Sequence, residues 1–442
     1  MHNLAIALKN KGYMVSGSDD EIFDPARTRL EKHGLLPYAK GWFPEKLQTD
    51  IDAVILGMHA KKDNPELLKA QEMGLRIYSF PEYIYLNALN KTRVAIAGSH
   101  GKTSITSMIM HVLKKIGHKF DYMVGSSVNG FENSLQLTED NNIIILEADE
   151  YLSSAINPEP KFLWYKPQIA VISGIAWDHA NVFPTHEIYV EQFRKFIASM
   201  PPESLLIYHA DDKMLCSLVD EFSHIRKIAY SYPQYSLENG VFSIIVKKDE
   251  KKELKINGKH NLLNMEAARF VCEGLGVERE VFLDSIASFE GAGKRLERLF
   301  ENEQTLIFKD FAHAPSKVKA TIEGVKDQFP EKKLIACLEL HTYSSLSKNF
   351  LPQYSGSTKG ADRMYIYINK EAVELKSMPL ISEGEIRSFF NDPEIMVFYD
   401  IQLLQKVLME LDLKQSILLL MSSGNFGNMD TTALTEKLDQ SS

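Results

Sequence analysis

The sequence predicts an α/β protein built on parallel sheets. Three observations carry this. Hydrophobic, strand-like runs alternate with helix-periodic segments along the whole chain. The 442 residues are enough for about two to four domains, each with its own core. One run, V-A-I-A-G-S-H-G-K-T-S at residues 94–104, joins a buried strand to a glycine loop and then to an amphipathic helix, the local form of a phosphate cradle.

The elements follow in order. Leu4, Ala5, Ala7 and Leu8 recur at helical spacing, and Gly12 ends that helix. Val15 then leads into Ser16-Gly17-Ser18-Asp19, read as a strand running out into a loop. A nucleotide-binding α/β domain normally opens one strand and one glycine loop earlier, so residues 1–89 are expected to form a truncated Rossmann-like domain. Within it, residues 52–57 form a short buried strand, residues 64–73 a helix closed by Gly74, and Ile77-Tyr78 start the next strand. The polar segment 87–91 marks the first boundary. Residues 90–298 are expected to form a central P-loop ATPase-like parallel-sheet domain. Its helix carries Ile105, Met108, Ile109, Val112, Leu113 and Ile116 up to Gly117, and its further strands lie at 143–146 and 169–173. A charged cluster at 247–255 reads as a solvated hairpin. A third, Rossmann-like domain, residues 299–442, takes its strands from 305–308, 334–338 and 417–421.

Bulk composition excludes several function classes. Hydrophobic content of 44% and charged content of 25% are those of an ordinary globular protein. A net charge of −9 disfavours nucleic acid or an anionic membrane as the main partner. Cys216, Cys272 and Cys337 are far apart and form no metal-binding or disulfide pattern, which fits a reducing, cytoplasmic location. No apolar run approaches a membrane span. The oligomeric state is left open.

The phosphate loop carries the chemistry. Backbone N–H groups of Gly98, Ser99, His100 and Gly101, with the positive end of the following helix, point at an anion. Lys102 reaches terminal phosphates, Thr103 helps hold Mg²⁺, and Ser104 closes the first turn. The loop is two residues shorter than GxxxxGK[ST], which argues against the common motor and GTPase families. Glu147 opens E-A-D-E at a strand's C-terminal end, where a metal-binding acid belongs in this architecture, although such acids also serve as solvated caps. His179 follows another strand on the same rim and is a candidate ligand. Asn261 and Asn264 in G-K-H-N-L-L-N carry the donor and acceptor that an adenine edge needs; helix capping is their ordinary alternative. Lys294-Arg295 offer cations for a transferring phosphoryl group. Asp310 and His313 in D-F-A-H-A-P offer a carboxylate for ribose hydroxyls and an imidazole for substrate.

Taken together and in this order, the motifs G-S-H-G-K-T-S, E-A-D-E, Asp178-His179, G-K-H-N-L-L-N, G-A-G-K-R-L-E and D-F-A-H-A-P resemble those of the Mur ligase family. The resemblance covers nearly the whole chain. It implies an ATP-dependent carboxylate–amine ligase that joins an amino acid or peptide to UDP-N-acetylmuramate through an acyl phosphate. It implies ATP binding by residues 98–104, Asn261, Asn264, Arg295 and Asp310. It implies Mg²⁺ at Thr103, Glu147 and His179, with Lys102, His179 and Arg295 catalytic, and substrate contacts at Ser18, Asp19 and His313.

Two incoming amines remain open, L-alanine and the tripeptide L-alanyl-γ-D-glutamyl-meso-diaminopimelate. Lys161-Phe162 through Tyr165-Lys166-Pro167, Asp24-Pro25 before Arg29-Leu30-Glu31, and Met421-Ser422-Ser423-Gly424-Asn425-Phe426-Gly427 are similar to the tripeptide branch. Glu339-Leu340-His341-Thr342-Tyr343-Ser344-Ser345 departs from both branches, and Gly174 stands where the family often has asparagine. A nucleotide-binding relative without turnover is the remaining alternative. A folate-type ligase is disfavoured by the domain that precedes the phosphate loop.

Overall fold

A computed structural model describes residues 1–177, 182–247, 250–293 and 295–439. Two units emerge, one of residues 1–175, 190–230 and 267–279, the other of residues 176–189, 231–266 and 280–442.

In the first unit, helix α1 (His2–Asn10) buries Leu4, Ile6, Ala7 and Leu8, and Gly12 follows it at φ +91°. Strands β1 (Val54–Leu56) and β2 (Ile77–Ser79) pair in parallel. Between them runs α2 (Pro65–Glu72), capped by the Asn64 side chain, which accepts from Leu67 N at 3.0 Å. The strand expected at Val15 does not form. The segment keeps a single bridge, Asp19 to Gly41, and its Ser16 and Gly17 are exposed. Little apolar burial is available there to offset the entropy of ordering a strand.

Strands β3 (Thr92–Ala97), β4 (Asp121–Met123), β5 (Leu135–Gln136), β6 (Ile143–Glu147), β7 (Ile169–Ile172), β8 (Leu205–His209) and β9 (Arg226–Tyr230) make the main sheet of this unit. Among the described residues its order is β5-β4-β6-β3-β7-β8-β9, parallel except for β4–β5. Val94, Ala95, Ile96 and Ala97 of central β3 are fully buried on both faces, which is why the run reads as continuously hydrophobic rather than alternating. From β3 the chain passes to one side of the sheet, and from β7 it passes to the other. The C-terminal end of β3 is therefore the topological switch point where open α/β sheets bind ligands. Helix α3 (Lys102–Lys115) starts there and buries the periodic residues Ile105, Met108, Ile109, Val112 and Leu113.

The polar segment before β3 is anchored in the core. Lys91 Nζ donates to Asp121 Oδ2 at 2.8 Å and to the carbonyls of Thr138 and Asn141. Arg93 donates to the carbonyls of Ala88, Leu89, Tyr165 and Lys166. The Lys91 and Asp121 side chains are 6% and 0% exposed. Removing one member strands a buried charge, so Lys91→Ala is expected to lower unfolding free energy by about 3 kcal/mol. Urea denaturation measures it; a midpoint equal to the parent's would contradict the assignment.

In the second unit, β10 (Tyr235–Glu238), β11 (Val241–Lys247) and β12 (Glu250–Glu253) form an antiparallel sheet. The expected charged hairpin is thus present, and residues 248 and 249 lie outside the described residues. Helix α4 (His260–Gly274) follows, its residues from 267 onward assigned to the first unit. Strands β13 (Glu297–Glu301), β14 (Thr305–Asp310), β15 (Lys333–Leu340), β16 (Arg363–Ile368), β17 (Met396–Phe398) and β18 (Ser416–Met421) are ordered β13-β14-β18-β15-β16-β17. All pair in parallel except β13–β14. This sheet begins one strand earlier than the expected residue 305. A register shift between Arg298 and Phe300 breaks the alternation that would have announced β13. Helix α5 (Pro315–Gln328) connects β14 to β15. Phe308, Ile322, Leu338, Ile366 and Leu419 pack in the core on one face, and Cys337, Tyr365, Leu404 and Leu418 on the other. The three cysteines are free thiols. Among the described residues no helix is long and apolar enough to cross a membrane.

Candidate functional site

The chain leaves β3 through Gly98 at φ +116° and enters α3 through Gly101 at φ +71°. Both angles favour glycine, and at 98 a Cβ would lie 2.6 Å from Ser173 N. The loop is fastened to the exit of β7, the strand beside β3. Ser99 N donates to Gly174 O at 2.9 Å, and the Ser173 hydroxyl donates to His100 O. Gly174, at φ +143°, closes that contact in a conformation that asparagine would adopt only with strain. Gly101 is the N-cap of α3 and has no side-chain oxygen to cap it, and the N-terminal end of a helix favours an anion.

Three charged groups meet this loop. Lys102 Nζ donates to Gly98 O at 2.7 Å and to Glu150 Oε2 at 2.8 Å. Burial by itself would lower the Lys102 pKa; the charges of Glu150, Asp149 and Glu147 outweigh it and hold the ammonium above its ordinary value. Thr103 Oγ1 donates to Glu147 Oε1 at 2.9 Å, and Gly125 N donates to Glu147 Oε2 at 2.8 Å. A hydroxyl and a carboxylate that converge in this way are hard oxygen donors, the set that suits Mg²⁺. Asp149 turns away to Lys161 Nζ at 3.2 Å. The expected third metal ligand, His179, lies outside the described residues, as do Asp178 and Lys294. Among the described residues no cluster of three His, Cys, Asp or Glu side chains forms a metal cage. Ser18 and Asp19 sit in the irregular N-terminal segment, where Asp19 O accepts from Gly41 N at 2.8 Å.

The other expected residues lie in the second unit. Asn264 Nδ2 donates to Asn261 Oδ1 at 2.9 Å, and Asn261 Nδ2 donates to Asn257 O at 2.7 Å. His260 beside them is partly buried. Burial pulls its pKa down against the opposing charge of Asp310. Asp310 accepts from Leu296 N at 2.6 Å, Ala312 N at 2.8 Å and Thr321 Oγ1 at 3.2 Å. The carboxylate that the sequence offers to a ribose thus also holds Leu296 in the left-handed region at φ +46°. Arg295 and His313 both pack on Phe311. The guanidinium lies 4.3 Å and the imidazole 5.6 Å from the ring centroid, and His313 Nδ1 is 2.9 Å from Phe311 O.

Two features escaped the sequence reading. Glu150 was one acid in E-A-D-E with no assigned partner. Glu339, 1% exposed, accepts from the Ser422 hydroxyl, from Phe426 N at 2.9 Å and from Asn369 Nδ2 at 3.2 Å. It anchors a turn in which Phe426, Gly427 and Asn428 all have positive φ. Next to it His341 Nε2 is 3.2 Å from Ser423 Oγ, and burial lowers the His341 pKa against the opposing charge of Glu339. A lone acid inside the apolar strand run L-I-A-C-L-E-L was the available signal, since buried acids are rare without a partner.

Residues 96–272 match the Mur ligase middle domain. Over 380 residues the chain is 31% identical to a UDP-N-acetylmuramate–L-alanine ligase from Caldicellulosiruptor bescii, covering 83% of this chain and 80% of that protein. Over 338 residues it is 28% identical to the UDP-N-acetylmuramate–L-alanyl-γ-D-glutamyl-meso-2,6-diaminoheptandioate ligase of Haemophilus influenzae, covering 74% of each. The fold is similar to that of a UDP-N-acetylmuramate–alanine ligase from Thermotoga maritima, with a TM-score of 0.71 at 19% identity over 99% of this chain and 97% of that one.

Proposed function

The chain belongs to the Mur ligase family, and from that premise we propose that it joins the tripeptide L-alanyl-γ-D-glutamyl-meso-diaminopimelate to UDP-N-acetylmuramate in peptidoglycan recycling. Membership makes it an ATP-dependent ligase that forms a C–N bond. The finer reading concerns the incoming amine. One observation carries it: the run 421–427, which resembles the tripeptide branch, is hydrogen-bonded through Ser422 and Phe426 to Glu339. Glu339 belongs to the segment 339–345 that departs from both branches, and these hydrogen bonds join that segment to the run 421–427.

The proposed reaction has two steps. A carboxylate oxygen of the sugar's lactyl group attacks the γ-phosphorus, and the bond to ADP breaks. The amine nitrogen then attacks the acyl phosphate carbon, loses a proton, and inorganic phosphate departs. An anion must approach a polyanion, so positioning and charge dominate the barrier. Lys102 binds phosphate oxygens, and the N–H groups of residues 98–104 orient them. Thr103 and Glu147, with His179, would hold Mg²⁺, which supplies charge neutralisation when bound. Adenine contact by Asn261 and Asn264, ribose contact by Asp310, phosphate contact by Arg295 and substrate contact by Ser18, Asp19 and His313 belong to the same proposal.

L-alanine is the second reading, favoured by the 31% identical alanine ligase. Offering both amines at equal concentration with ATP and UDP-N-acetylmuramate, and weighing the products by mass spectrometry, separates the two. The tripeptide product is expected in at least roughly tenfold excess, the discrimination that a site built for the longer substrate provides. An excess of the alanyl product would transfer the chain to the second reading.

A further inference from the structure

Three acids lie at and just beyond the end of β6 and take different partners. Glu147 meets Thr103, Asp149 turns to Lys161, and Glu150 takes the loop lysine. The Lys102 and Glu150 side chains are 14% and 0% exposed, and Nζ lies 2.8 Å from Oε2. The same ammonium donates to Gly98 O at 2.7 Å, so it is already aimed along the loop before any phosphate arrives.

Such a pair is costly to split, because each ion has given up its water. Phosphate oxygens entering the loop compete for the ammonium's three donors. The buried carboxylate is then left beside a polyanion with its cation shared. A divalent cation changes that balance, being the largest local charge in such a site. Glu147 and Thr103, the candidate ligands, are held on the same rim by their own hydrogen bond.

We propose that Glu150 is a positioning residue that makes nucleotide binding depend on the divalent cation: it aligns Lys102 along the loop and opposes the phosphates until the cation neutralises the site. The proposal rests on the nucleotide-site reading above. It gives Glu150 a task distinct from that of Glu147. The favourable coupling between cation and nucleotide is reciprocal, and part of it runs through this carboxylate.

The test compares the parent with Glu150→Gln, which keeps the shape and removes the charge. Affinity for a non-hydrolysable ATP analogue is measured by calorimetry, once with a chelator and once with saturating Mg²⁺. In chelator the variant is expected to bind roughly tenfold tighter than the parent, and in Mg²⁺ the gap is expected to close to within about threefold. No gain in chelator, or the same gain in both buffers, overturns the proposal. Asp149→Asn removes a neighbouring charge and leaves the pair; a gain as large as that of Glu150→Gln would also overturn it, because the general field and not the pair would then be responsible. Should Glu150→Gln not fold, Glu150→Asp shortens the reach and is expected to show the same pattern with a smaller gain, and a parent-like result for it overturns the proposal. A parent protein that binds no analogue even with Mg²⁺ would instead remove the nucleotide-site reading itself.

Discussion

Lys102→Ala is expected to lower kcat by roughly 10³-fold, the scale seen when a preorganised transition-state donor is removed. The structure adds a second consequence. Lys102 is the cation beside a carboxylate with no exposed surface, so the truncation should also cost about 3 kcal/mol of stability by removing one member of a buried ion pair. The double variant Lys102→Ala/Glu150→Gln should regain most of that stability and none of the activity, since the two residues act on stability as a pair. The pH dependence follows in sign. The folded-state pKa of Lys102 is raised above its ordinary 10.5. Its contribution is therefore fully present below that value and is lost only as pH rises through the folded pKa. The stability gap between parent and variant should stay constant through the neutral range and shrink in strong alkali. Phosphate release and urea unfolding measure the two effects. Substantial ligation by a folded Lys102→Ala protein would remove Lys102 from the reaction.

Glu147→Gln is the second large effect. Glu147 uses both oxygens, one for Thr103 Oγ1 and one for Gly125 N. A glutamine can keep its oxygen on Gly125 N and turn its N–H₂ to the Thr103 hydroxyl, but it has no charge to offer a cation. The expected result is a kcat lower by roughly 10²- to 10³-fold and a Mg²⁺ requirement displaced to higher concentration. Titrating Mg²⁺ against initial rate measures both. A parent-like Mg²⁺ curve would place the metal elsewhere. The readout also differs from that expected of Glu150→Gln, which acts on nucleotide affinity in the absence of the cation.

Legibility in the sequence followed the range of the interaction. The phosphate loop was readable because strand, glycines, lysine and helix are contiguous, and the positive φ of Gly98 and Gly101 is a local demand. That Glu147 closes an apolar strand was readable, and the fold sets it against Thr103 of the loop. The parallel sheets were readable from continuous hydrophobic runs such as 94–97 and 417–421, all fully buried. Pairings between distant segments were not. Nothing near Glu150 in sequence says that its partner is Lys102, and nothing near Glu339 says that it receives Ser422 and Phe426. Lys91, in the segment 87–91, reads as part of a polar boundary because charge is normally exposed, and Arg93 follows it at the start of β3. In the fold their donors are consumed by Asp121 and a set of buried carbonyls. Asp310 was read as a ligand group on chemistry alone, and the fold adds a backbone duty through Leu296 N and Ala312 N.

The proposed reaction activates a sugar carboxylate with the γ-phosphate of ATP. The most direct measurement is ¹⁸O transfer. UDP-N-acetylmuramate carrying ¹⁸O in its lactyl carboxylate is turned over with ATP and the tripeptide, and the released phosphate is read by ³¹P NMR. An acyl phosphate leaves one carboxylate oxygen on phosphorus, so the account predicts ¹⁸O in the inorganic phosphate in step with ligated product. Product accompanied by unlabelled phosphate would contradict it.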